Sequence, residues 1–386
     1  MKLTRHASRR LAAAAITCTA ILVPTAALAA AGSAATAGAP ASGARPARPV
    51  TAYVVNTGSD TVTPIDTATG KAGKAIKVGS APDAIAITPN GKTAYVANSG
   101  SDTVTPINAA TGKAGQAIKV GRGPGAIAVT TNGKTAYVAS GSGVTPINTA
   151  TNKAGKAIKV GRYPGPMAIT PNGKTLYVTN GGDDVLGSGT VTPIRIATNK
   201  ALKAIEVGGG PDAIAITPNG TTAYVSTGPD SSVVPISTAT NTTGKPITVG
   251  DYAQGIAITP DGTTAYVSVS TFGHAPYVVP IRTATNTAGK PIRNVGSPFA
   301  ITPNGKTAYA PGPSNTVIPI DTATNKAGKA IKVGSAPAAI AITPNGKTAY
   351  VANSGSDTVT PINAATGKAG QAIKVGSDPR AIAITP

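Results

Sequence analysis

The stretch AIAITPNGKTAYVANSGSDTVTPINAATGKAGQAIKVG, from Ala84 to Gly121, decides the fold, because it returns letter for letter from Ala339 to Gly376. Less exact copies lie between and around these two. One tyrosine marks the same point of every copy, at spacings of 40 to 47 residues: Tyr53, Tyr95, Tyr137, Tyr177, Tyr224, Tyr266, Tyr309 and Tyr350. Residues 50–386 are therefore eight copies of one unit.

Each copy contains four short segments with strand character. In the quoted copy they are AIAIT, TAYVAN, TVTPI and AIKVG, which are rich in β-branched residues and are separated by polar turns. Between the first two, PNGK places Asn and Gly where a tight hairpin requires positive φ. Four strands in about 42 residues is the period of a propeller blade. The sequence therefore predicts an all-β propeller of four-stranded antiparallel blades.

The two ends of the repeat region complement each other. The first copy starts at Val50 with its second strand, and residues 381–386 form a first strand that has no second strand after it. If these residues pair with residues 51–55, one blade is assembled from both ends and the ring closes without a free edge. We expect eight blades, with seven as the alternative if one degenerate copy lies outside the ring.

The composition agrees with this architecture. The 386 residues are 3% aromatic and 12% charged, with 46 Gly, 33 Pro, no Trp and a single Glu. Strong helix formers are scarce, whereas Thr, Val and Ile are abundant between regularly placed turn residues. This composition excludes an ordinary helical enzyme.

The repeat resembles a known family. Residues 177–180 spell YVTN, and the copies at Tyr95 and Tyr350 read YVAN, on the consensus PxAIAITPNGKxxYVxN. The chain is similar, over residues 50–386, to the YVTN-type β-propeller repeat family of exported or surface proteins, related to the YncE-like propellers. The resemblance implies a propeller fold and an exported protein. It implies little about chemistry, since propellers of one architecture carry many functions.

Every copy has a proline inside its third strand, at Pro64, Pro106, Pro146, Pro193, Pro235, Pro280, Pro319 and Pro361. Proline cannot donate a hydrogen bond to a β-ladder. We therefore expect a bulge or a missing hydrogen bond at the same height in every blade.

Residues 1–29 have the organisation of an export signal. Lys2, Arg5, Arg9 and Arg10 precede an apolar run that ends in the small residues around Ala29. We favour the general secretory route; a twin-arginine signal and acylation of Cys18 are alternatives. Residues 30–49 are Ala, Gly, Pro and Ser with two arginines, a composition typical of a disordered leader.

Beyond the signal, the sequence contains no apolar run long enough to span a bilayer. The formal charge is +20, and removal of the four positive charges in residues 1–29 leaves +16. A protein with this charge attracts polyanions through a salt-sensitive, sequence-independent interaction.

Groups for catalysis are scarce. Residues 30–386 contain no Cys, one His (His274) and one Glu (Glu206), and these two lie in different copies. We therefore predict no cofactor, no metal site and no catalytic residues. Calcium binding by Asp-bearing loops and a lactonase- or lyase-like enzyme are disfavoured alternatives.

Lysines cluster in the fourth strand, for example Lys71, Lys74 and Lys77. In a propeller this strand is the outermost of its blade, where lysine opposes aggregation between edges. The alternative is a basic rim that holds a polyanion.

The most informative variation lies in the loop from each fourth strand to the next first strand, which in a propeller lines a mouth of the central channel. Functional side chains tend to lie on such loops of a rigid scaffold. The candidate ligand-binding residues there are Arg122, Arg162, Tyr163, Asp212, Asp251, Tyr252, Asp378 and Arg380. The insertion at 181–189, with Asp183 and Asp184, is a further candidate contact loop.

These observations predict an exported, non-enzymatic binding scaffold that is secreted or associated with the cell envelope. We expect a monomer with a protein or cell-wall partner. The alternative is a salt-sensitive binder of polyanions, either single-stranded DNA or an anionic wall polymer.

Overall fold

The computed structural model describes residues 50–141, 143–182, 189–271 and 273–386. These residues form eight antiparallel sheets of one design, arranged in a closed ring in which the first strands of successive sheets contact one another. The chain is an eight-bladed β-propeller, as predicted. The predicted signal peptide and leader, residues 1–49, lie outside the described residues.

Blade 1 combines Pro379–Ile384 with the strands between Thr51 and Lys77, and blades 2 to 8 follow in chain order. The first strands line the channel and are Pro379–Ile384, Pro82–Ile87, Ala126–Val129, Pro164–Ile169, Pro211–Ile216, Tyr252–Ile258, Ala300–Ile301 and Pro337–Ile342. The second strands are Thr51–Asn56, Thr93–Asn98, Thr135–Ser140, Thr175–Asn180, Thr222–Thr227, Thr264–Ser270, Thr307–Gly312 and Thr348–Asn353.

The third strands are Thr61–Asp66, Thr103–Asn108, Gly143–Asn148, Gly189–Arg195, Ser232–Ser237, Tyr277–Arg282, Thr316–Asp321 and Thr358–Asn363. Each fourth strand is split in two. Its first segments are Lys71–Ala72, Lys113–Ala114, Lys153–Ala154, Lys200–Ala201, Thr242–Thr243, Thr287–Ala288, Lys326–Ala327 and Lys368–Ala369. Its second segments are Ile76–Lys77, Ile118–Lys119, Ile205–Gly208, Ile247–Thr248, Ile292–Arg293, Ile331–Lys332 and Ile373–Lys374, with a single bridge from Ile158 to Val144 in blade 3.

The predicted ring closure is confirmed. Pro379–Ile384 pairs antiparallel with Thr51–Asn56, so that Tyr53 lies opposite Ala383. The first strand of blade 1 also contacts the first strands of blades 8 and 2. The edge that each end of the chain leaves open is thus covered by the other end.

The third-strand prolines explain the split of the fourth strand. The carbonyl of Pro64 accepts a hydrogen bond from the Gly73 N–H at 2.7 Å, on the side of the fourth strand. Because the N–H and C=O of a strand residue point to the same side, the donor that Pro64 lacks would also face the fourth strand, between its two segments. The same contact recurs in all eight blades. The proline therefore leaves the inner ladder intact and interrupts the outermost strand.

The core lies between the blades. The eight repeat tyrosines are at most 2% exposed and are among the largest fully buried side chains. Burial raises the pKa of Tyr95, Tyr137 and Tyr177 to about 12, because the phenolate would lose its hydration. Each of these rings is held by the valines, isoleucines and alanines of neighbouring strands.

Hydrogen bonds from the hydroxyls of these tyrosines join neighbouring blades. Tyr95 donates to the Asn152 side chain at 2.7 Å, and four further seams have the same bond at 2.6 Å: Tyr137 to Asn199, Tyr177 to Asn241, Tyr224 to Asn286 and Tyr266 to Asn325. In the other three seams the asparagine is replaced by Gly112, Gly367 or Gly70. These three seams are consecutive, and two of them border blade 1, the closure blade that is assembled from both ends of the chain.

No helix in the described ranges has the length and apolar character needed to cross a membrane.

Candidate functional site

The two ends of the ring carry different loops. The mouth end carries the loops from fourth to first strands and from second to third strands. The hairpin end carries the hairpins between first and second strands and the loops between third and fourth strands. All eight residues predicted from the sequence lie on the mouth end.

Several acidic residues of the mouth end hold its loops in place. Asp60 accepts a hydrogen bond from the Ala81 N–H at 2.8 Å, Asp102 from the Gly123 N–H at 2.8 Å, and Asp230 from the Gly209 N–H at 2.6 Å. Asn315 does the same for Ala336 at 3.1 Å. Asparagine accepts the same hydrogen bond as aspartate at this position. The fold therefore needs one side-chain oxygen there and does not need the negative charge.

Arg162 and Tyr163 form an exposed pair on the mouth end. Tyr163 is 65% exposed, and the Arg162 guanidinium lies 5.7 Å from the centre of its ring, within cation–π range. The φ of Tyr163 is 50°, whereas blade 3 has Gly123 at the corresponding position. A bulky residue with positive φ is strained unless its surroundings hold it there. Asp183 and Asp184, of the insertion at 181–189, lie outside the described residues.

Asp212 and Tyr252 are brought together from neighbouring blades. Burial raises the pKa of Asp212 to about 6, and a side-chain hydrogen bond with Tyr252 opposes this shift. Asp251 is exposed, and its N–H donates to the Tyr277 hydroxyl at 3.2 Å. The structure therefore unites Asp212 with Tyr252 but leaves the Asp251 side chain at the surface.

Arg380 and Asp378 form an ion pair with Nε 2.7 Å from Oδ2. The Asp378 N–H donates to Asp357 at 2.8 Å, so this pair is tied to the loop of blade 8. Arg122 is exposed, and its carbonyl accepts a hydrogen bond from the Gly141 N–H at 2.7 Å. The eight predicted residues thus form three local pairs and two separate side chains, and they do not form one cluster.

Sequence reasoning missed two residues of the mouth. Asp83 and Gln254 occupy a bulge at the start of a first strand, as Asp212 and Arg380 do. Bulges re-aim the side chain that they contain. The signal for both was the variable loop after the Val–Gly pair that ends each fourth strand, compared across copies, for example after Val78 and Gly79.

Groups for metal binding are dispersed in this structure. Among the described residues no three His, Cys, Asp or Glu side chains are grouped closely enough to hold a metal ion. His274 is an exposed loop residue whose carbonyl accepts a hydrogen bond from Thr271 at 2.6 Å.

The hairpin end is organised differently. The hairpins of successive blades touch around the channel; a Cβ on Gly133, for example, would lie 3.4 Å from Cδ of Pro89 in the preceding blade. Each hairpin also holds the outer loop of its own blade, as the Lys92 carbonyl accepts from the Ala109 N–H at 2.9 Å. Hairpins and outer loops therefore form one continuous surface.

Eleven exposed lysines lie on this surface, in two circles. The inner circle is on the hairpins: Lys92, Lys134, Lys174, Lys306 and Lys347. The outer circle begins the fourth strands: Lys71, Lys113, Lys153, Lys200, Lys326 and Lys368. We call these eleven residues the lysine face. Within the described part of the chain none of them forms an ion pair.

The lysine face carries most of the protein's net charge. With Arg195 and Arg282, the hairpin end has thirteen basic side chains against three acidic ones, Asp66, Asp261 and Asp321. The described residues of the mouth end have nine of each sign. Six further exposed lysines lie on the outer wall, between the two segments of the fourth strands. Of the two ends, the one opposite the predicted site therefore carries the excess of positive charge.

The acidic side chains of the hairpin end serve its turns. Asp66 accepts hydrogen bonds from the N–H groups of Ala68 and Thr69 at 2.8 and 3.0 Å. In blade 2, Asn108 makes the equivalent bonds at 2.9 and 3.1 Å. The turn requires an oxygen acceptor there, and it does not require a negative charge.

Comparisons with known proteins bear on the fold. No protein-family profile matches the sequence, and no curated protein matches it. Among solved structures, the chain is similar to the Kuenenia stuttgartiensis hydrazine synthase at 23% identity and a TM-score of 0.59, covering 72% of this chain and 94% of that chain.

Two further structures are similar. The dihydro-heme d1 dehydrogenase NirN in complex with DHE has 13% identity and a TM-score of 0.73, covering 86% of this chain and 74% of that chain. A functionally unknown protein from Desulfotomaculum acetoxidans has 17% identity and a TM-score of 0.60, covering 87% of this chain and 98% of that chain. At these identities the likeness shows the propeller fold alone.

Proposed function

We propose that this chain is an exported, non-enzymatic binding scaffold that contacts its partner through the loops at the ends of the ring, and that it belongs with the YVTN-type propellers it resembles. One observation carries this proposal. The repeat's own polar residues are used by the fold: the tyrosine hydroxyls join blades, and the Asp and Asn side chains hold loops. Most of the charged side chains that the fold does not use lie at the loop-bearing ends, and six exposed lysines lie on the outer wall between the segments of the fourth strands.

Export is proposed from the sequence of residues 1–29, with its basic start, apolar run and small-residue end. The proposed location is the exterior or the cell envelope.

The enzyme alternative has weaker support, because residues 30–386 offer one His and one Glu, and among the described residues no three His, Cys, Asp or Glu side chains are grouped. A metal-dependent activity lost on replacing Asp251 or His274 would support it instead.

A polyanion site at the mouth end, around Arg122, Arg162 and Arg380, is a second candidate. The ion pair of Arg380 with Asp378 and the balance of charges at this end weaken it.

The test is co-sedimentation of residues 30–386 with an insoluble envelope fraction of the producing cells. One variant changes Arg122, Arg162 and Arg380 to Ala, and a second changes the five hairpin lysines to Gln. Loss of sedimentation in either variant supports a scaffold that binds through an end of the ring. Failure of the unmodified protein to sediment, or equal sedimentation of both variants and the parent, contradicts the proposal.

A further inference from the structure

We infer that the lysine face binds a linear, phosphate-bearing polyanion that carries no bases, such as an anionic wall polymer. This inference rests on the proposed scaffold function and names its ligand class and its surface. It moves the binding site from the mouth end, where the sequence placed it, to the hairpin end.

The first argument is the distribution of charge. The hairpin end has an excess of ten basic side chains, whereas the described mouth end has none. Such an excess raises the local concentration of a polyanion, and each Lys–phosphate contact releases a condensed counterion. A field of this kind on one end of a rigid ring gives an oriented attachment.

The second argument is that the fold does not need these lysines. In blade 2 the Lys92 N–H donates to Asn90 Oδ1 at 2.9 Å, which closes the hairpin through the backbone. In blade 5 the Thr221 N–H makes the same bond to Asn219 at 3.1 Å. The lysine side chain is therefore replaceable in the turn, and its exposure leaves it available to a ligand.

The third argument concerns protection of edges. Lysine on an outermost strand discourages aggregation, and this accounts for residues such as Lys71. The hairpin lysines follow the innermost strands, where there is no outer edge to protect. Protection against aggregation between strand edges therefore does not explain the lysines of the inner circle.

The fourth argument is the arrangement around the ring. Blades 5 and 6 lack lysine in both circles at once, with Thr221 and Thr263 on the hairpins and Thr242 and Thr287 on the outer loops. The lysine-bearing outer loops belong to the six contiguous blades 7, 8, 1, 2, 3 and 4. The lysine face is therefore an open arc around the closure blade, a shape that suits a linear polymer.

The absence of bases from the ligand follows from the side chains of this surface. Binding of single strands uses exposed aromatic rings on which bases stack. Among the described residues, the exposed large apolar side chain is that of Tyr163, and it lies on the mouth end. Lysine acts as a point charge and binds phosphate without aromatic support.

The experiment uses residues 30–386 and long-chain polyphosphate as the probe, with binding measured from 50 to 200 mM salt. The test variant changes Lys92, Lys134, Lys174, Lys306 and Lys347 to Gln. The control variant removes the same charge from the other end by changing five exposed lysines to Gln: Lys77, Lys119, Lys159, Lys332 and Lys374. Melting curves verify that both variants fold.

The size of the effect follows from counterion release. Five lost contacts reduce the slope of log K against log salt by about 3.5, so the parent is expected to lose ~100-fold more affinity than the test variant across this fourfold salt range. The control variant should keep nearly the parent's slope. A third variant, with Asp66→Asn and Asp321→Asn, should bind more tightly than the parent, since Asn already fills this turn position in other blades.

Equal losses in the test and control variants would overturn the inference, because net charge alone would then explain binding. Tighter binding of oligo(dT) than of polyphosphate with matched charge would overturn it in favour of a nucleic-acid binder. No binding of polyphosphate at 50 mM salt, together with retained envelope sedimentation, would refute this inference and leave the proposed function standing. Loss of both would refute both.

Discussion

Replacing Gly112 by Asn is expected to add a hydrogen bond between blades 1 and 2 and to stabilise the ring. Five seams of the propeller have a Tyr–Asn bond at 2.6–2.7 Å. In the seam between blades 1 and 2, the Tyr53 hydroxyl donates to the Ala109 carbonyl at 3.4 Å, a longer hydrogen bond than the Tyr–Asn bonds. Gly112 occupies the position that Asn152 fills in the next seam.

The backbone at Gly112 is already suited to asparagine. Its φ is +64°, close to the 55° of Asn152, and a Cβ built on it meets no atom within 4 Å. Asparagine tolerates this left-handed conformation better than most residues. The substitution therefore adds a side chain without displacing a neighbour.

The expected gain is about 1 kcal/mol, the net contribution of one neutral hydrogen bond. For a domain of this size the shift in Tm is only ~1–2 °C, so denaturant midpoints at a fixed m-value are the better assay. The substitution is combined with Tyr53→Phe in a double-mutant cycle.

The cycle separates the bond from other effects of replacing glycine. Tyr53→Phe should cost about 1 kcal/mol more in the Gly112→Asn background than in the parent. Asn152→Gly in the intact seam should cost a similar amount, and Tyr95→Phe should remove that difference. An equal cost of Tyr53→Phe in both backgrounds would refute the reasoning, as would a loss of stability in Gly112→Asn.

Three further outcomes are expected. The pKa of Asp212 in the folded protein is raised to about 6. Its carboxyl therefore stabilises the fold most at pH values below the ordinary pKa of aspartate, where it is protonated, and this contribution is lost as the pH rises through 6. Asp212→Asn should therefore abolish one component of the pH dependence of denaturant midpoints between pH 4 and 6; an unchanged profile contradicts this. The repeat tyrosines with a folded pKa of about 12 contribute stability fully below pH 10, and lose it as pH rises through 12. Absorbance of phenolate at 295 nm should accordingly rise together with loss of the near-ultraviolet circular dichroism signal; ionisation that precedes unfolding would argue against buried hydroxyls. Removal of residues 379–386 takes away the first strand of blade 1 and exposes the edge of Thr51–Asn56. The truncated chain should melt lower and self-associate in sedimentation velocity runs, and a monomer with the parent's Tm would show that closure contributes little.

The strands and turns were predictable because the same sequence pattern occurs in all eight copies of the repeat. Tyrosine spacing, PNGK turns and the incomplete copies at the two ends predicted the blade number and the ring closure, and both are confirmed. A proline such as Pro64, found in every third strand, predicted an irregularity at one height, and the structure shows it as the gap between Ala72 and Ile76. These features depend on contacts within one blade or on the pairing of the strands at its edge.

The candidate site was predictable only in part. Variation among copies directed attention to Arg162, Tyr163 and Asp212, and the function of these residues stays a prediction. The hydrogen bond of Asp212 with Tyr252 joins residues of successive blades and depends on how the blades pack. The sequence also treated Lys71 and Lys77 as members of one rim, although the two segments of a fourth strand end at opposite ends of the blade.

By itself the sequence determined the secondary structure, the number of blades and the manner of closure, because hydrophobic alternation and turn chemistry act over a few residues and are repeated in register. Only the tertiary structure decided which charges share a surface. Lys92 lies in the hairpin of blade 2 and Lys71 in the fourth strand of blade 1, and they come to one end because antiparallel strands return every second loop to the same side of the ring. The net charge could be counted in the sequence, but its distribution over the surface was set by the packing of the blades.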